Sequence, residues 1–385
     1  MEALESGAPT ACVLGDLDLV APLVMAGVRC AIVAPPGDPA RYSRHTEVAG
    51  WANPSGDPGA LLAVLQRYCR SQPVKPVLFY ESDQYARFVS KHREVLSERF
   101  CFVIASRQHI EDLIDKVRFS RLAEQLRLPV PATRVMTPDG SAPADCDLPA
   151  YPLLIKPATR GDGRWEAVEP NRKAVRVEGR ADLEAIWPRL DTLAGDVLVQ
   201  ELIPGPETLV ESYHAYVDEQ GEVVGEFTGR KLRTRPVDYG HSTALTISSE
   251  PDTIEAGRHV VHLLGLRGVA KLDFKRTPDG GLRLLEVNPR FSLWHYPGAI
   301  AGVNIPALVW ADLTKNPRPP VTCPAPGVFW MSPWDLQSAR DYGVPLHQWL
   351  PWAWRCQAKS MMAWDDPLPF LRLSLQRVRR GLRRR

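Results

Sequence analysis

No run of about 18 apolar residues occurs in the chain, so a membrane-spanning helix is not expected. The opening stretch, MEALESGAPT, has no basic segment leading into an apolar one, and no secretory signal is expected. Cysteine is sparse: Cys12, Cys30, Cys69, Cys101, Cys146, Cys323 and Cys356, an odd number with no CxxC pair. Such spacing builds neither a structural zinc site nor a disulfide framework, and it fits a reducing, cytoplasmic compartment. The nine histidines form no HExxH or similar metal pattern. The first turn, VLGDLD, lacks the glycines of a dinucleotide fingerprint, which argues against NAD. Acid is missing from one place in particular. Residues 371–385, LRLSLQRVRRGLRRR, hold seven arginines and no Asp or Glu. The formal net charge is +2, yet without that segment 40 basic residues face 45 acidic ones.

What is present suits a folded chain of two or three domains: 385 residues, 44% hydrophobic and 24% charged. From Ala11 to Phe102 apolar runs (ACVLG, CAIVAP, VLFYES, CFVIAS) alternate with helix-like segments. That alternation predicts a parallel sheet covered by helices. Residues 109–128 read as helical, and the Pro-rich stretch 136–152 as a linker or surface loop. Strands and turns dominate from Leu153 to Asn288, with a hairpin expected around EFTGR and a helix over TIEAGRHVVHLLGLRG. After Leu313 the composition turns to Pro and Trp, and six of the eleven tryptophans lie between Trp330 and Trp364. The expected division is an N-terminal α/β domain over 1–110, a mixed domain over 111–315 and an extension over 316–385.

The sharpest pattern is GLRLLEVNPR, residues 281–290. Leu284, Leu285 and Val287 make it a buried strand, while Glu286, Asn288 and Arg290 occupy alternate positions and share one face. VAKLDFKR, residues 269–276, is a second strand, and TPDGG between them carries an Asp-Gly turn signal. With Asp279 and Gly280 as a two-residue loop, Asp273 falls across from Glu286 and Lys271 across from Asn288. Two facing carboxylates repel unless a cation sits between them or one keeps its proton. Oxygen donors of this kind suit Mg²⁺, which completes its shell with water and phosphate oxygens. The alternative is an exposed edge hairpin compensated by Lys271 and Lys275.

Five segments in order, LLIKP (153–157), ATRGDGRW, VLVQELIPG (197–205), AKLDFKR and LLEVNPRF, resemble the ATP-grasp superfamily. The nearest likeness is to its carboxylate–amine ligases of the D-aspartate ligase and carbamoyl-phosphate synthase type. The resemblance covers about residues 110–315. It implies an ATP-grasp fold of two α+β subdomains enclosing a nucleotide, after the parallel-sheet domain. It implies ATP with Mg²⁺, or Mn²⁺ in its place, and small-molecule carboxylate and amine substrates.

Residue by residue, the resemblance puts Lys116 and Lys156 on the phosphates, and Gly161 and Gly163 in a loop closing over them. Arg160, Asp162 and Arg164 depart there from the Ser- and Gly-rich form of relatives. Gln200 and the backbone of Glu201 and Leu202 would meet the adenine, Ile203 would pack on its ring, and Glu207 would bind the ribose. Asp273, Glu286 and Asn288 would hold the metal, with Asp273 standing where many relatives have Glu. Arg290, Arg230 and Lys231 would serve the transferred phosphoryl group or a carboxylate.

The implied reaction moves the γ-phosphoryl of ATP to a carboxylate and then couples the acyl-phosphate to an amine. A kinase or phosphotransferase on the same fold, and a nucleotide-binding regulator without turnover, are the alternatives. A biotin-dependent carboxylase component is a third, although no biotinyl Met-Lys-Met segment occurs. The tail 368–385 reads as a basic amphipathic helix, touching anionic lipid at a membrane periphery or a partner, or else packing its leucines on the body. No base-reading module accompanies it, so nucleic acid is not an expected partner.

Overall fold

The computed structural model describes residues 7–53, 56–140, 142–144, 147–158, 164–170 and 173–382. Three sheets organise the chain. The first is parallel, in the order β3-β2-β1-β4, from β1 (Ala11–Leu14), β2 (Cys30–Ala34), β3 (Thr46–Trp51) and β4 (Val77–Tyr80). Strands β1, β2 and β4 are buried along their whole length, as parallel strands covered on both faces must be. Asp16 caps the first helix, Leu17–Met25, by accepting from the Asp18 N–H. The helical segment expected over 109–128 is two helices, Arg107–Ile114 and Lys116–Gln125. Asp115 takes an extended conformation between them and caps the second through the Arg118 N–H, 3.0 Å away.

The second sheet is antiparallel, in the order β5-β8-β6-β7: β5 (Thr133–Met136), β6 (Leu153–Pro157), β7 (Val175–Val177) and β8 (Val197–Glu201). Leu183, Ile186, Trp187 and Leu190, at helical spacing on Arg180–Asp191, close its outer face over Leu153, Ile155, Val197 and Val199. The other face carries Leu154, Lys156, Leu198 and Gln200 toward the cleft.

The third sheet has seven strands, in the order β13-β12-β9-β10-β11-β14-β15. They are β9 (Val210–Val217), β10 (Val223–Arg235), β11 (His241–Ser248), β12 (Gly268–Arg276), β13 (Leu282–Asn288), β14 (Phe329–Met331) and β15 (Ala358–Lys359). Helix Pro251–Leu264 covers one face and stops at Gly265, whose φ of 57° satisfies the left-handed cap. EFTGR is not a hairpin: residues 226–230 lie in the middle of β10, flanked by strands on both sides. Within that run Gly229 has a packing reason, because a Cβ there would lie 2.4 Å from the Trp294 ring.

Residues 316–382 are not an appendage. β14 pairs with β11 and β15 with β14, so the stretch after 316 completes the central sheet. It also returns to the first domain. Trp330 Nε1 donates to Asp18 at 2.9 Å, and Asp366 accepts from Ser43 Oγ at 2.5 Å and from the Arg44 N–H at 3.1 Å. Of the tryptophans there, Trp330 is buried and Trp349 and Trp352 pack inward, whereas Trp334, Trp354 and Trp364 are exposed.

The β12–β13 hairpin pairs Asp273 with Glu286 and Lys271 with Asn288, as expected, but by a different route. The turn holds three residues, Pro278, Asp279 and Gly280, with the Thr277 N–H bonded to the Gly281 carbonyl at 2.8 Å and Gly280 at φ 89°. The one-residue offset places Phe274 across from Leu284. Leu285 is then left over as a bulge, and the offset is reversed before Glu286. Without that bulge Glu286 and Asn288 would face the helix Pro251–Leu264.

Candidate active site

A cleft of about 530 Å³ lies between the antiparallel four-stranded sheet and the central sheet, with its rim touching the first domain at Asp83, Gln84 and Arg87. Lys116, Lys156, Gln200, Glu201, Leu202, Ile203, Glu207, Lys231, Asp273, Glu286 and Asn288 all line it. Segments spread over 170 residues of sequence thus meet in one space. Gly161 and Gly163 lie outside the described residues.

Lys156, on the cleft face of β6, donates to Gln200 Oε1 at 2.8 Å, and Gln200 Nε2 donates to Thr133 Oγ1 at 2.8 Å. Lys116, at the start of its helix, donates to the Pro157 carbonyl at 2.6 Å, which brings both lysines to the end of one strand. At the end of β8 the Glu201 N–H bonds to the Ala132 carbonyl at 2.8 Å, and just after it the Leu202 N–H bonds to the Pro152 carbonyl at 3.0 Å. Those donors are committed, so a base edge would have to meet carbonyl oxygens there or the Ile203 N–H. Leu202 and Ile203 are buried, and Glu207 sits half-buried at the cleft mouth.

The carboxylates come from the central sheet. Lys271, Asp273 and Lys275 alternate along one face of β12, and Ser212 of β9 lies opposite Asp273. Asp273 is 2% exposed and engaged at both oxygens: Ser212 Oγ donates to Oδ1, Lys271 Nζ lies 2.6 Å from Oδ2, and Lys231 Nζ lies 3.4 Å away. Burial alone would push its pKa up, but the Lys231 and Lys271 ammoniums hold the carboxyl well below the usual range. Lys231 is the reciprocal case. Burial lowers it, yet Asp273, Glu286 and Glu207 raise its pKa overall. The facing carboxylates are therefore reconciled by two lysines, one of which, Lys271, was expected only as a compensating charge.

Glu286, Asn288 and Arg290 form a chain along one face. Asn288 Nδ2 donates to Glu286 Oε1 at 3.1 Å, and Arg290 Nη2 donates to Asn288 Oδ1 at 3.1 Å. Arg290 also reaches the first domain, with Nε 2.5 Å from Asp83 Oδ1 and Nη1 2.9 Å from the Glu81 carbonyl. No sequence signal in ESDQY marks Asp83 as a cleft residue. The donor set fits a divalent ion: Asp273 and Glu286 face each other with carboxylate oxygens, Glu286 is exposed in the cleft, and a carboxylate offers about four acceptor sites, more than Ser212, Lys271 and Lys231 fill on Asp273. Asn288 can join them once its amide oxygen turns from Arg290 toward Glu286.

Arg230 does not enter the cleft. It precedes Lys231 on β10 and so points through the opposite face, where Nη2 pairs with Glu250 at 2.8 Å. That face gathers Glu211, Glu250 and Asp252, close enough together to suggest a metal. Arg276 answers Glu211 at 3.0 Å and Asp252 at 2.6 Å, so with Arg230 the cluster is an ion-pair network.

Residues 194–328 match the family described as ATP-grasp in the biosynthetic pathway with Ter operon. The chain is 26% identical over 290 residues to D-aspartate ligase of Enterococcus faecium (strain Aus0004), covering 72% of this chain and 69% of that enzyme. It is 27% identical over 185 residues to D-alanine–D-alanine ligase of Stutzerimonas stutzeri (strain A1501), covering 46% of this chain and 54% of that ligase. Among solved structures, an ADP complex of N5-carboxyaminoimidazole ribonucleotide synthetase superposes with a TM-score of 0.61 at 16% identity. It covers 85% of this chain and 82% of that one. The likeness establishes the fold.

Proposed function

We propose that this chain, which carries an ATP-grasp domain and is homologous to D-aspartate ligase, is an ADP-forming carboxylate–amine ligase. The observation that carries the reading is the convergence in one cleft of the Asp273–Glu286 pair with Asn288 and, across from it, Lys156 with Gln200. By analogy with the amino acids in its relatives' names, D-aspartate and D-alanine, at least one substrate is an amino acid.

The roles follow from charge and position. Lys116 and Lys156 hold the phosphates of ATP, Gln200 and the segment Glu201–Ile203 hold the base, and Glu207 the ribose. Asp273, Glu286 and Asn288 hold Mg²⁺ or Mn²⁺, which when bound neutralises the triphosphate. A substrate carboxylate oxygen attacks the γ-phosphorus and ADP leaves. The amine nitrogen then attacks the acyl carbon, inorganic phosphate departs, and the nitrogen gives up its proton. Lys231 stands where negative charge on the transferred group is to be met; Arg290 adds its planar fork on releasing Asp83, the Glu81 carbonyl or Asn288. The chain's work is positioning and charge stabilisation, not covalent participation.

The test is ADP formation measured over pools of carboxylates and amines. ADP release that needs both an acid and an amine supports ligation; release with the acid or an alcohol alone would make the protein a kinase. Glu286→Gln should leave thermal unfolding unchanged and lower ADP formation by about 10³-fold, given the several kcal/mol a metal ligand supplies. A folded variant with full turnover removes the metal assignment.

A further inference from the structure

Nine of the fifteen large hydrophobic side chains exposed among the described residues lie between Trp334 and Val378. The cleft uses none of them. Helix Leu346–Arg355 buries Ala353 and turns Leu346, Leu350 and Trp354 outward at four-residue spacing, Trp354 being 76% exposed. Helix Leu368–Leu382 leans on the first domain, with the Arg372 guanidinium over the Tyr42 ring at 4.5 Å and Gln376 bonded to the Gly37 carbonyl at 2.8 Å. Its other side presents Leu368, Leu371, Leu375 and Val378, each more than half exposed. Trp364, 84% exposed, lies between the helices, and its ring meets that of Trp354 at 6.2 Å, so the two apolar faces are continuous.

Charge around this face is mainly positive. Arg355, Arg372 and Arg379 are exposed, and the sequence from 371 onward holds seven arginines and no acid. The two acids nearby are turned to the first domain, Asp365 onto His45 and Asp366 onto Ser43. No helix among the described residues is long and apolar enough to cross a membrane.

We propose that this face docks on a membrane carrying anionic lipid, with both helices lying in its plane. Leucines and tryptophans enter the boundary between headgroups and acyl chains, and the arginines meet lipid phosphates. A second copy is the rival occupant, since Leu368, Leu371, Leu375 and Val378 keep the seam spacing of a coiled coil. The flanks disfavour it: Arg372 and Arg379 fill one side and Ser374 and Gly381 the other, so paired helices would bring arginines together with no acid opposite. An anionic bilayer accepts both the stripe and its flanks.

The experiment is co-sedimentation of the full chain with vesicles of phosphatidylcholine alone, or with roughly 30% phosphatidylglycerol. Expected is binding to the anionic vesicles only, with a blue shift of tryptophan emission. The bound fraction should fall about ten-fold for Leu371→Ser with Leu375→Ser, and likewise for Arg355→Gln with Arg379→Gln. These residues are exposed, so folding is kept, and unchanged thermal unfolding checks it. No sedimentation of the parent, or equal binding by parent and leucine variant, overturns the proposal. So does a dimer seen by light scattering that the leucine variant dissolves while neither protein binds vesicles.

Discussion

Asp273→Asn separates the two duties of the cleft carboxylate. The amide keeps the side chain's shape and an acceptor for Ser212. It leaves Lys271 and Lys231, 2.6 and 3.4 Å from the lost charge, without their shared anion. Removing one partner of a buried ion pair costs about 3–5 kcal/mol. Lys231 retains Glu286 and Glu207 as neighbours, so the lower end is expected, about 3 kcal/mol near pH 7. The pH dependence gives the sign. In the parent, the depressed Asp273 contributes stability that is present above the ordinary value of 3.8 and is lost as pH falls through the folded value. Between neutral pH and mild alkali it therefore adds no slope. In the variant the Asp273 charge no longer offsets burial, which is left to lower Lys231 from 10.5 against Glu286 and Glu207 alone. The unfolded chain then binds more protons than the native one beneath that value, and stability rises with pH. Urea denaturation followed by circular dichroism near pH 7 and pH 9.5 measures both effects. A variant within about 1 kcal/mol of the parent at both pH values, or a deficit that does not shrink in alkali, would refute the assignment of Asp273 as the shared counterion.

Lys156→Met should weaken ATP binding by about ten-fold, the loss of one charge-assisted phosphate contact; unchanged affinity by calorimetry would take Lys156 off the phosphates. Acid should destabilise the core behind the cleft as well. Burial, with the nearby Arg290 charge and against the Ser292 hydrogen bond, lowers His295 from 6.5 to about 4. As pH falls through that window the unfolded chain takes up the proton first, so stability drops by up to about 3 kcal/mol. Guanidinium titrations near pH 7 and pH 4.5 should show a smaller drop in His295→Phe than in the parent. Identical slopes would mean that His295 is not the group responsible.

Much of the site was readable from local chemistry. Strand alternation put Glu286, Asn288 and Arg290 on one face, and the structure links them in a row. The pairing of Asp273 with Glu286 was reached through a two-residue turn, whereas the chain uses a three-residue turn and a bulge that cancel. Alternation could also have separated Arg230 from Lys231, since neighbours on a strand cannot share a face. It could have placed Lys271 and Lys275 on the strand face of Asp273, Lys275 lining the cleft with it.

The residue pattern by itself determined the parallel, helix-covered character of the first sheet and the strand face that bears the acids, because side-chain period acts over a few residues. Tertiary structure alone decided what those acids meet. Lys231 reaches Asp273 across β9, Arg290 reaches Asp83 across about 200 residues of chain, and β14 and β15 join a sheet begun at Val210. Such partners are selected by packing between layers. The distance along the chain carries no trace of them.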